Sequence, residues 1–133
     1  MYTVLVVDDE KVIRDGCRRI LSAKGHRVLS AASGRTALDL LASEPVNAIL
    51  CGLKMPGMDA LEVLEEVRGS HPEIPMIIIT GEGTVANAIK CMKKGAYDFV
   101  TKPFRADDLV AVVTRALENR PPLLRSKPMQ MEE

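Results

Sequence analysis

The sequence has few aromatic residues and no tryptophan, and phenylalanine, tyrosine and tryptophan together make up 3% of its 133 residues. We therefore do not expect a surface that stacks aromatic side chains on the bases of single-stranded nucleic acid. Charge of one sign is also missing, because lysine plus arginine equals aspartate plus glutamate at 18 each. This balance gives no reason to expect nucleic acid or an anionic membrane as the main partner.

Further absences narrow the class of protein. No apolar run approaches the ~20 residues of a membrane-spanning helix, and the first predicted strand begins at once, so we expect neither a membrane span nor a signal peptide. The three cysteines, Cys17, Cys51 and Cys91, form no C-x-x-C pair. An odd number of widely spaced cysteines indicates reduced thiols in a cytoplasmic protein.

Short apolar runs alternate along the chain with segments of helical period. Runs such as Val4–Val7 and Met76–Ile79 are apolar throughout, which is typical of strands buried on both faces of a parallel sheet. Strands are predicted near residues 3–7, 27–31, 47–51, 76–80 and 97–101, and helices over residues 11–24, 35–43, 60–68, 85–94 and 106–118.

This β-α order, repeated five times with right-handed crossovers, predicts an α/β fold with a doubly wound, five-stranded parallel sheet. Helices would cover both faces and form a three-layer sandwich. Residues 1–119 are predicted to form this one domain. The tail, residues 120–133, contains three prolines without a helical pattern and is predicted to be a linker or disordered.

Reactive side chains stand where the predicted strands end, which is where ligands bind in doubly wound sheets. Asp8 and Asp9 follow the first strand, Thr80 ends the fourth, and Lys102 follows the fifth. Adjacent carboxylates can bind a hard cation such as Mg²⁺, while a hydroxyl and an ammonium group can contact a phosphoryl group. The set suits phosphoryl transfer to a side chain, yet the third strand leads into Gly52, which offers no nucleophile.

Two local features accompany these groups. Lys102 precedes Pro103 at a tight junction between a strand and a helix, so this peptide bond is a candidate for the cis form. Asp59 precedes the third predicted helix as a candidate N-cap. Taken alone, Asp8 and Asp9 have a simpler interpretation as acids at the start of a helix, where the helix dipole favours them.

The sequence resembles the receiver domain of bacterial two-component response regulators over about residues 2–119. The matching segments are VLVVDDE at 4–10, MPGMD at 55–59, ITG at 79–81 and AYDFVTKPF at 96–104. Together they are specific, although any one alone would be weak. Residues 80–84 and 97–99 look most like receivers attached to ATP-dependent transcription activators of the NtrC type. The resemblance implies the flavodoxin-like, CheY-like version of the predicted fold.

The resemblance also implies a magnesium pocket. Asp8 and Asp9 would hold Mg²⁺ together with the main-chain carbonyl of Lys54, and no organic cofactor is expected. The family's phosphoacceptor aspartate falls on Gly52, which removes one ligand and one negative charge, so Mg²⁺ binding should be weak. Lys102 loses its nearest anionic partner, and we predict that it pairs with Asp8 or Asp9 instead.

In the same way, the resemblance implies a phosphate switch and a surface for partners. Thr80 and Phe99 would be the switch pair, and Lys102 would contact the phosphate. The face formed by residues 84–119 would meet a sensor kinase or an output or effector protein, and it is where we expect a homodimer. We expect neither direct nucleic-acid binding nor a membrane among these partners.

Three functions remain open from the sequence. The first is a pseudo-receiver: a signalling module, not an enzyme, that acts through protein–protein interaction without aspartyl phosphorylation at position 52. The second is a phosphorelay receiver that uses another acceptor, Asp8, Asp9 or Asp59. The third is a phosphohydrolase with carboxylates at strand ends, which is disfavoured because Asp8 is followed by Asp9 and Glu10 rather than by the D-x-D pattern of such enzymes.

Overall fold

The structure, a computed structural model, describes residues 1–81 and 84–119. In these residues strands and helices alternate without exception. Their bounds are β1 Thr3–Val7, α1 Lys11–Ser22, β2 Arg27–Ala31, α2 Gly34–Ser43, β3 Ala48–Gly52, α3 Ala60–Ser70, β4 Met76–Thr80, α4 Val85–Lys93, β5 Asp98–Thr101 and α5 Ala106–Glu118. The tail predicted to be a linker or disordered, residues 120–133, lies outside the described residues.

All five strands pair in parallel in one sheet with the order β2-β1-β3-β4-β5. The chain steps outward from β1 to β2 and then returns past β1 to β3, so the direction of winding reverses between β1 and β3. The predicted doubly wound α/β fold is confirmed. Its switch point lies at the carboxyl ends of β1 and β3, where such sheets bind ligands.

Helices cover both faces of the sheet. The buried residues of α1 and α5 pack on one face with Val4, Val6 and Leu50, whereas those of α2, α3 and α4 pack on the other with Leu5 and Ile49. All residues of β1, β3 and β4 are buried, while β2 and β5 at the edges are partly exposed. This difference explains why the central strands read as unbroken apolar runs.

The end of β3 is set by its pairing with β4. Gly52 pairs with Ile79 in the parallel ladder, and the backbone N–H of Leu53 donates to the carbonyl oxygen of Ile79 at 2.8 Å. The strand therefore runs one residue beyond the predicted end at residue 51. Gly52 is part of the sheet rather than of the loop that follows it.

The exposed side of α1 differs from the sequence interpretation. The helical pattern of residues 11–24 predicts that Val12 shares an apolar face with Cys17, yet its side chain is 74% exposed while Cys17 is fully buried. At 3.6 residues per turn the two positions lie about 140° apart around the helix axis. An apolar stripe centred on Cys17 and Leu21 therefore leaves Val12 in solvent.

No helix in residues 1–81 or 84–119 has the length and apolar character needed to cross a membrane.

The start of α3 is fixed by a reciprocal pair of hydrogen bonds. The Asp59 side chain accepts from the backbone N–H of Glu62 at 3.0 Å, and the Glu62 side chain accepts from the backbone N–H of Asp59 at 2.9 Å. This arrangement is a capping box, which satisfies two of the donors that a helix start leaves unpaired. The predicted N-cap at Asp59 is confirmed.

We expect Asp59→Ala to lower the free energy of unfolding by about 1 kcal/mol, because the N-cap hydrogen bond is lost. Urea denaturation followed by circular dichroism measures this change. Asp39→Ala is the matched control, since Asp39 is an exposed aspartate inside α2 and caps no helix. Equal denaturation midpoints for the two variants would contradict the assignment.

Candidate functional site

The candidate site lies at the carboxyl ends of β1, β3 and β4 and at the loop after β5. Pairing of Gly52 with Ile79 aligns the ends of β3 and β4, and the Lys102 backbone N–H donates to the carbonyl oxygen of Thr80 at 2.7 Å. A cavity of about 280 Å³ opens between these ends. The residues around it include Asp9, Glu10, Gly52, Lys54, Thr84 and Lys102.

Asp8 is buried between β1 and α1, with 1% of its surface exposed. Its Oδ1 accepts from the backbone N–H of Glu10 at 2.9 Å, and its main-chain oxygen accepts from Nη1 of Arg14 at 2.8 Å. Its Oδ2 is buried and has no hydrogen-bond partner among the described residues. A Cβ atom built on Gly52 would lie only 2.6 Å from this Oδ2, so the Asp8 carboxyl group fills the space beside the glycine.

Burial raises the pKa of Asp8 above its ordinary value of 3.8. The hydrogen bond from the Glu10 N–H and the charge of Lys102 act in the opposite direction, and the nearby charges of Asp9 and Glu10 add to the increase. Desolvation is the largest of these effects because it disfavours the charged form of a carboxyl group. The carboxylate beside Gly52 is therefore held in an environment that favours its protonated form.

Lys102 forms an ion pair with Glu10. The distance from Nζ of Lys102 to Oε1 of Glu10 is 2.9 Å, and the lysine side chain is 29% exposed. The prediction that Lys102 pairs with Asp8 or Asp9 is therefore wrong, because its partner is Glu10, the next acidic residue in the sequence. Asp8 directs its carboxyl group toward the Glu10 N–H and Gly52, and Asp9 is exposed.

Thr80 is the fully buried last residue of β4. Its hydroxyl group donates to the Thr84 hydroxyl, and the carbonyl oxygen of Gly81 lies 3.3 Å from it. Thr84 in turn donates to the same carbonyl oxygen at 2.7 Å. The hydroxyl expected to contact a phosphoryl group is thus bound to the residue that precedes α4.

The remaining predicted site residues lie close by. The Lys102–Pro103 peptide bond is cis. Lys54 is exposed and borders the cavity. Phe99 lies in β5 beside Ile78 of β4 and is half-buried against the apolar cluster under α2, α3 and α4.

Two residues of the site, Glu10 and Thr84, were not singled out from the sequence. Glu10 follows the two aspartates directly, and Thr84 comes four residues after Thr80. Their polar side chains next to predicted site residues are the signal that could have found them.

Cys51, the cysteine beside the site, is buried and its thiol is unreactive. Cys51 precedes Gly52 and is fully buried, and burial raises the pKa of its thiol well above the usual range. Burial likewise raises the pKa of Cys17 to about 12. Since the thiolate is the reactive form, these cysteines are inert parts of the core.

The donor atoms present supply an incomplete set for a metal ion. Asp8 places one oxygen against the Glu10 N–H and the other against Gly52, while Glu10 is engaged by Lys102. Within residues 1–81 and 84–119 no three His, Cys, Asp or Glu side chains are grouped to hold a metal. Mg²⁺ can complete such a set only with main-chain carbonyl groups, water or phosphate oxygen atoms.

Sequence comparison assigns this chain to a known family. The sequence profile of the response regulator receiver domain matches residues 4–114. The chain therefore belongs to the response regulator receiver domain family, and it is a receiver domain of two-component signalling. The recognition made from the four sequence segments is confirmed.

The similar proteins are mostly longer than this chain. An NtrX-like response regulator of Rickettsia bellii is 42% identical over 120 residues, which are 89% of this chain and 25% of the relative. The C4-dicarboxylate transport transcriptional regulatory protein DctD of Rhizobium meliloti is 36% identical over 118 residues, 89% of this chain and 26% of that protein. The chain thus spans about a quarter of the length of these curated relatives.

Solved structures agree with the fold. The crystal structure of the receiver domain of NtrX from Brucella abortus is 39% identical and superposes with a TM-score of 0.85, covering 87% of this chain and 98% of that one. A response regulator receiver domain from Clostridium thermocellum superposes with a TM-score of 0.84 at 31% identity, covering 89% of this chain and 95% of that one. These matches confirm the CheY-like fold.

The raised pKa of Asp8 predicts a pH dependence of stability. The folded protein binds this proton more tightly than the unfolded chain does, so the free energy of unfolding falls as the pH rises from 3.8 through the raised pKa. Asp8→Asn keeps the size of the side chain and an oxygen atom that can accept the Glu10 N–H. We expect the stability of Asp8→Asn relative to the parent protein to increase as the pH rises through this interval, measured by urea denaturation at several pH values.

Asp15→Asn supplies a control of opposite sign. The hydrogen bond from Lys11 lowers the pKa of the exposed Asp15 carboxyl group, so it stabilises the fold above its unfolded pKa and loses that effect as the pH falls. Relative to the parent, Asp15→Asn should therefore lose stability as the pH rises. A flat or falling difference curve for Asp8→Asn would contradict the assigned environment of Asp8.

Proposed function

We propose that this receiver domain signals through protein–protein contacts, without catalytic turnover and without phosphorylation at position 52. The observation that carries the proposal is Gly52 itself. It ends β3 at the centre of the site, and the Asp8 carboxyl group fills the space beside it. Glycine has no carboxylate, so an acyl phosphate cannot form there.

The groups expected to contact a phosphoryl group are engaged with other parts of the protein. Lys102 pairs with Glu10, and Thr80 is hydrogen-bonded to Thr84. A receiver switch is an equilibrium between two conformations that phosphorylation normally biases. We propose that these internal contacts supply a constant bias in its place, because they lie where the phosphoryl group would act.

We further propose that Mg²⁺ binding is weak. Asp8, Asp9 and the main-chain carbonyl of Lys54 would hold the ion, which would supply only local neutralisation of negative charge. The third carboxylate that Gly52 lacks would otherwise add a ligand. The Asp8 carboxyl group supports the same proposal, because its Oδ1 already accepts the Glu10 N–H and its Oδ2 lies against Gly52.

A phosphorelay receiver with a different acceptor is the second candidate, and one observation favours Asp9 within it. Asp9 is exposed and borders the cavity together with Lys54 and Lys102. Asp8, in contrast, is buried, and the Asp59 carboxylate is engaged in the capping box of α3. Among the three alternative acceptors, Asp9 is therefore the one that a phosphodonor could reach.

We propose that partners bind the face formed by residues 84–119. Ile89 on α4 is 45% exposed and neighbours Lys90 in sequence, and a cavity of about 320 Å³ on this face is bordered by Phe99, Phe104 and Arg115. A contact surface typically has apolar side chains at its centre and polar ones at its rim, and Ile89 with the neighbouring Lys90 would fit this arrangement. The partner would be a sensor kinase, an output or effector protein, or a second copy of this chain, in the cytoplasm.

Phosphodonor labelling tests the proposal. The protein is incubated with Mg²⁺ and a small phosphodonor, and its intact mass is measured beside Gly52→Asp and Gly52→Asn. We expect Gly52→Asp alone to gain the mass of a phosphoryl group, because only that variant restores a carboxylate at the end of β3. Gly52→Asn has nearly the same size and serves as the control for non-specific labelling.

A gain of phosphoryl mass by the parent protein would overturn the proposal. Peptide mass mapping of the labelled protein would then locate the acceptor, which is expected to be Asp9.

Self-association tests the proposed face. We expect Ile89→Asp to shift the monomer–dimer equilibrium toward monomer, because a charge would be desolvated at the contact. Val12→Asp is the matched control, since Val12 is the other large exposed aliphatic side chain of an α-helix among the described residues and lies on α1. Sedimentation velocity over a range of protein concentrations measures both. Equal shifts for the two variants would contradict the assignment of the face.

A further inference from the structure

Asp8 and Gly52 are packed against each other at the carboxyl ends of β1 and β3. We propose that they form an interdependent pair, in which the Asp8 carboxyl group occupies the volume of a residue-52 side chain and must shift when residue 52 is larger than glycine. Asp8 is then a positioning residue whose placement depends on glycine at position 52. The consequence for signalling rests on the function proposed above, whereas the contact between Asp8 and Gly52 does not depend on it.

The distances show how little room remains. A Cβ atom on Gly52 would lie 2.6 Å from Oδ2 and 3.1 Å from Cγ of Asp8. Carbon and oxygen atoms that are not bonded do not approach to 2.6 Å without strong repulsion, so any other residue at position 52 must displace the Asp8 carboxyl group. Gly16 in the adjacent α1 differs, since a Cβ atom there would meet nothing within 4 Å.

The backbone does not require glycine at position 52. Gly25, Gly57 and Gly95 have positive φ angles, but Gly52 does not, and it pairs within the parallel ladder. In a regular strand position glycine is less favourable than other residues, since it loses more conformational freedom and contributes no side chain. The contact with the Asp8 carboxyl group is therefore the feature of this position that a larger residue would change.

Asp8 cannot leave this position without cost. Its backbone N–H donates to the carbonyl oxygen of Ala31 at 3.1 Å, and Arg14 holds its main-chain oxygen at 2.8 Å. Its Oδ1 accepts the Glu10 N–H at 2.9 Å. Rotation of the carboxyl group away from Gly52 would disturb this last bond at the start of α1, and Glu10 is also the partner of Lys102. Contacts thus connect position 52 to Lys102 through Asp8 and Glu10.

The packing of Asp8 against Gly52 affects what happens when a phosphoacceptor aspartate is placed at position 52. An aspartate placed at position 52 needs Asp8 to rotate, and this rotation perturbs the Glu10 contact that holds Lys102. Restoring the acceptor therefore changes the internal contacts of the pocket before any phosphoryl group arrives. Glycine at position 52 keeps those contacts intact.

A double-mutant cycle tests the pair. Gly52→Ala is made in the parent protein and in the Asp8→Ala protein, and the urea midpoint of each is measured. We expect Gly52→Ala to lower the midpoint in the parent, because its Cβ atom collides with the Asp8 carboxyl group. In the Asp8→Ala protein the same change should raise the midpoint, because alanine is the better strand residue once space is available.

Two controls distinguish the collision with Asp8 from the effect of adding a methyl group and from the effect of the Asp8 charge. Gly16→Ala adds the same atom in open space within α1 and should raise the midpoint in both proteins, since alanine favours helix. Asp8→Asn keeps the size of the side chain but removes the charge, so Gly52→Ala should still lower the midpoint there. A change of the same sign and size in the parent and in Asp8→Ala would overturn the proposal.

Amide hydrogen exchange supplies a second measurement if Asp8→Ala does not fold. In Gly52→Ala we expect the Glu10 amide to exchange at least several-fold faster than in the parent, because displacement of the Asp8 carboxyl group breaks its hydrogen bond. Gly16→Ala should leave that rate unchanged. Unaltered protection of Glu10 in Gly52→Ala would overturn the proposal.

None of these measurements involves a phosphoryl group. Labelling of the parent protein would overturn the proposed function and leave the pair intact. An additive cycle would overturn the pair and leave the proposed function intact.

Discussion

The parallel pairing of β3 between β1 and β4 is the constraint on which the site depends. The register that sets Val7 beside Cys51 and Gly52 beside Ile79 also brings the residue after β1, Asp8, to the end of β3. Successive side chains of a strand point to opposite faces, so a slip of one residue would turn the buried residues of β3 to the wrong layer. Burial on both faces therefore fixes the contact between Asp8 and Gly52.

The acidic residues of the pocket affect the stability of the fold unequally because their environments differ. Glu10 and Lys102 are partly exposed, and an ion pair of that kind contributes about 0–1 kcal/mol. Asp8 is buried with one oxygen atom unpaired, where a charged carboxyl group is costly and a small displacement has a large effect. Glycine at position 52 relieves this acidic cluster of a further negative charge while leaving its buried member in place.

The sequence predicts the fold well because burial leaves a strong pattern. Apolar runs such as those of β1 and β4 can be recognised without knowledge of their neighbours, and the observed strand bounds differ from the predicted ones by one residue at most. The partners of individual side chains could not be predicted in the same way. Three consecutive acids, residues 8–10, look equivalent in sequence, and only the turn between β1 and α1 decides that the third one meets Lys102. Likewise, Val12 looks like part of an apolar stripe until the orientation of α1 is known.

The hydrogen bond between Thr80 and Thr84 joins the end of β4 directly to the start of α4. In the proposed function, this link and the pocket contacts are made during folding and need no later chemical event. The output of such a protein would then depend on how many copies the cell makes and on how tightly its partner binds, as mass action requires. Regulation would act on synthesis and degradation, with the timescale of protein turnover rather than that of a phosphate bond.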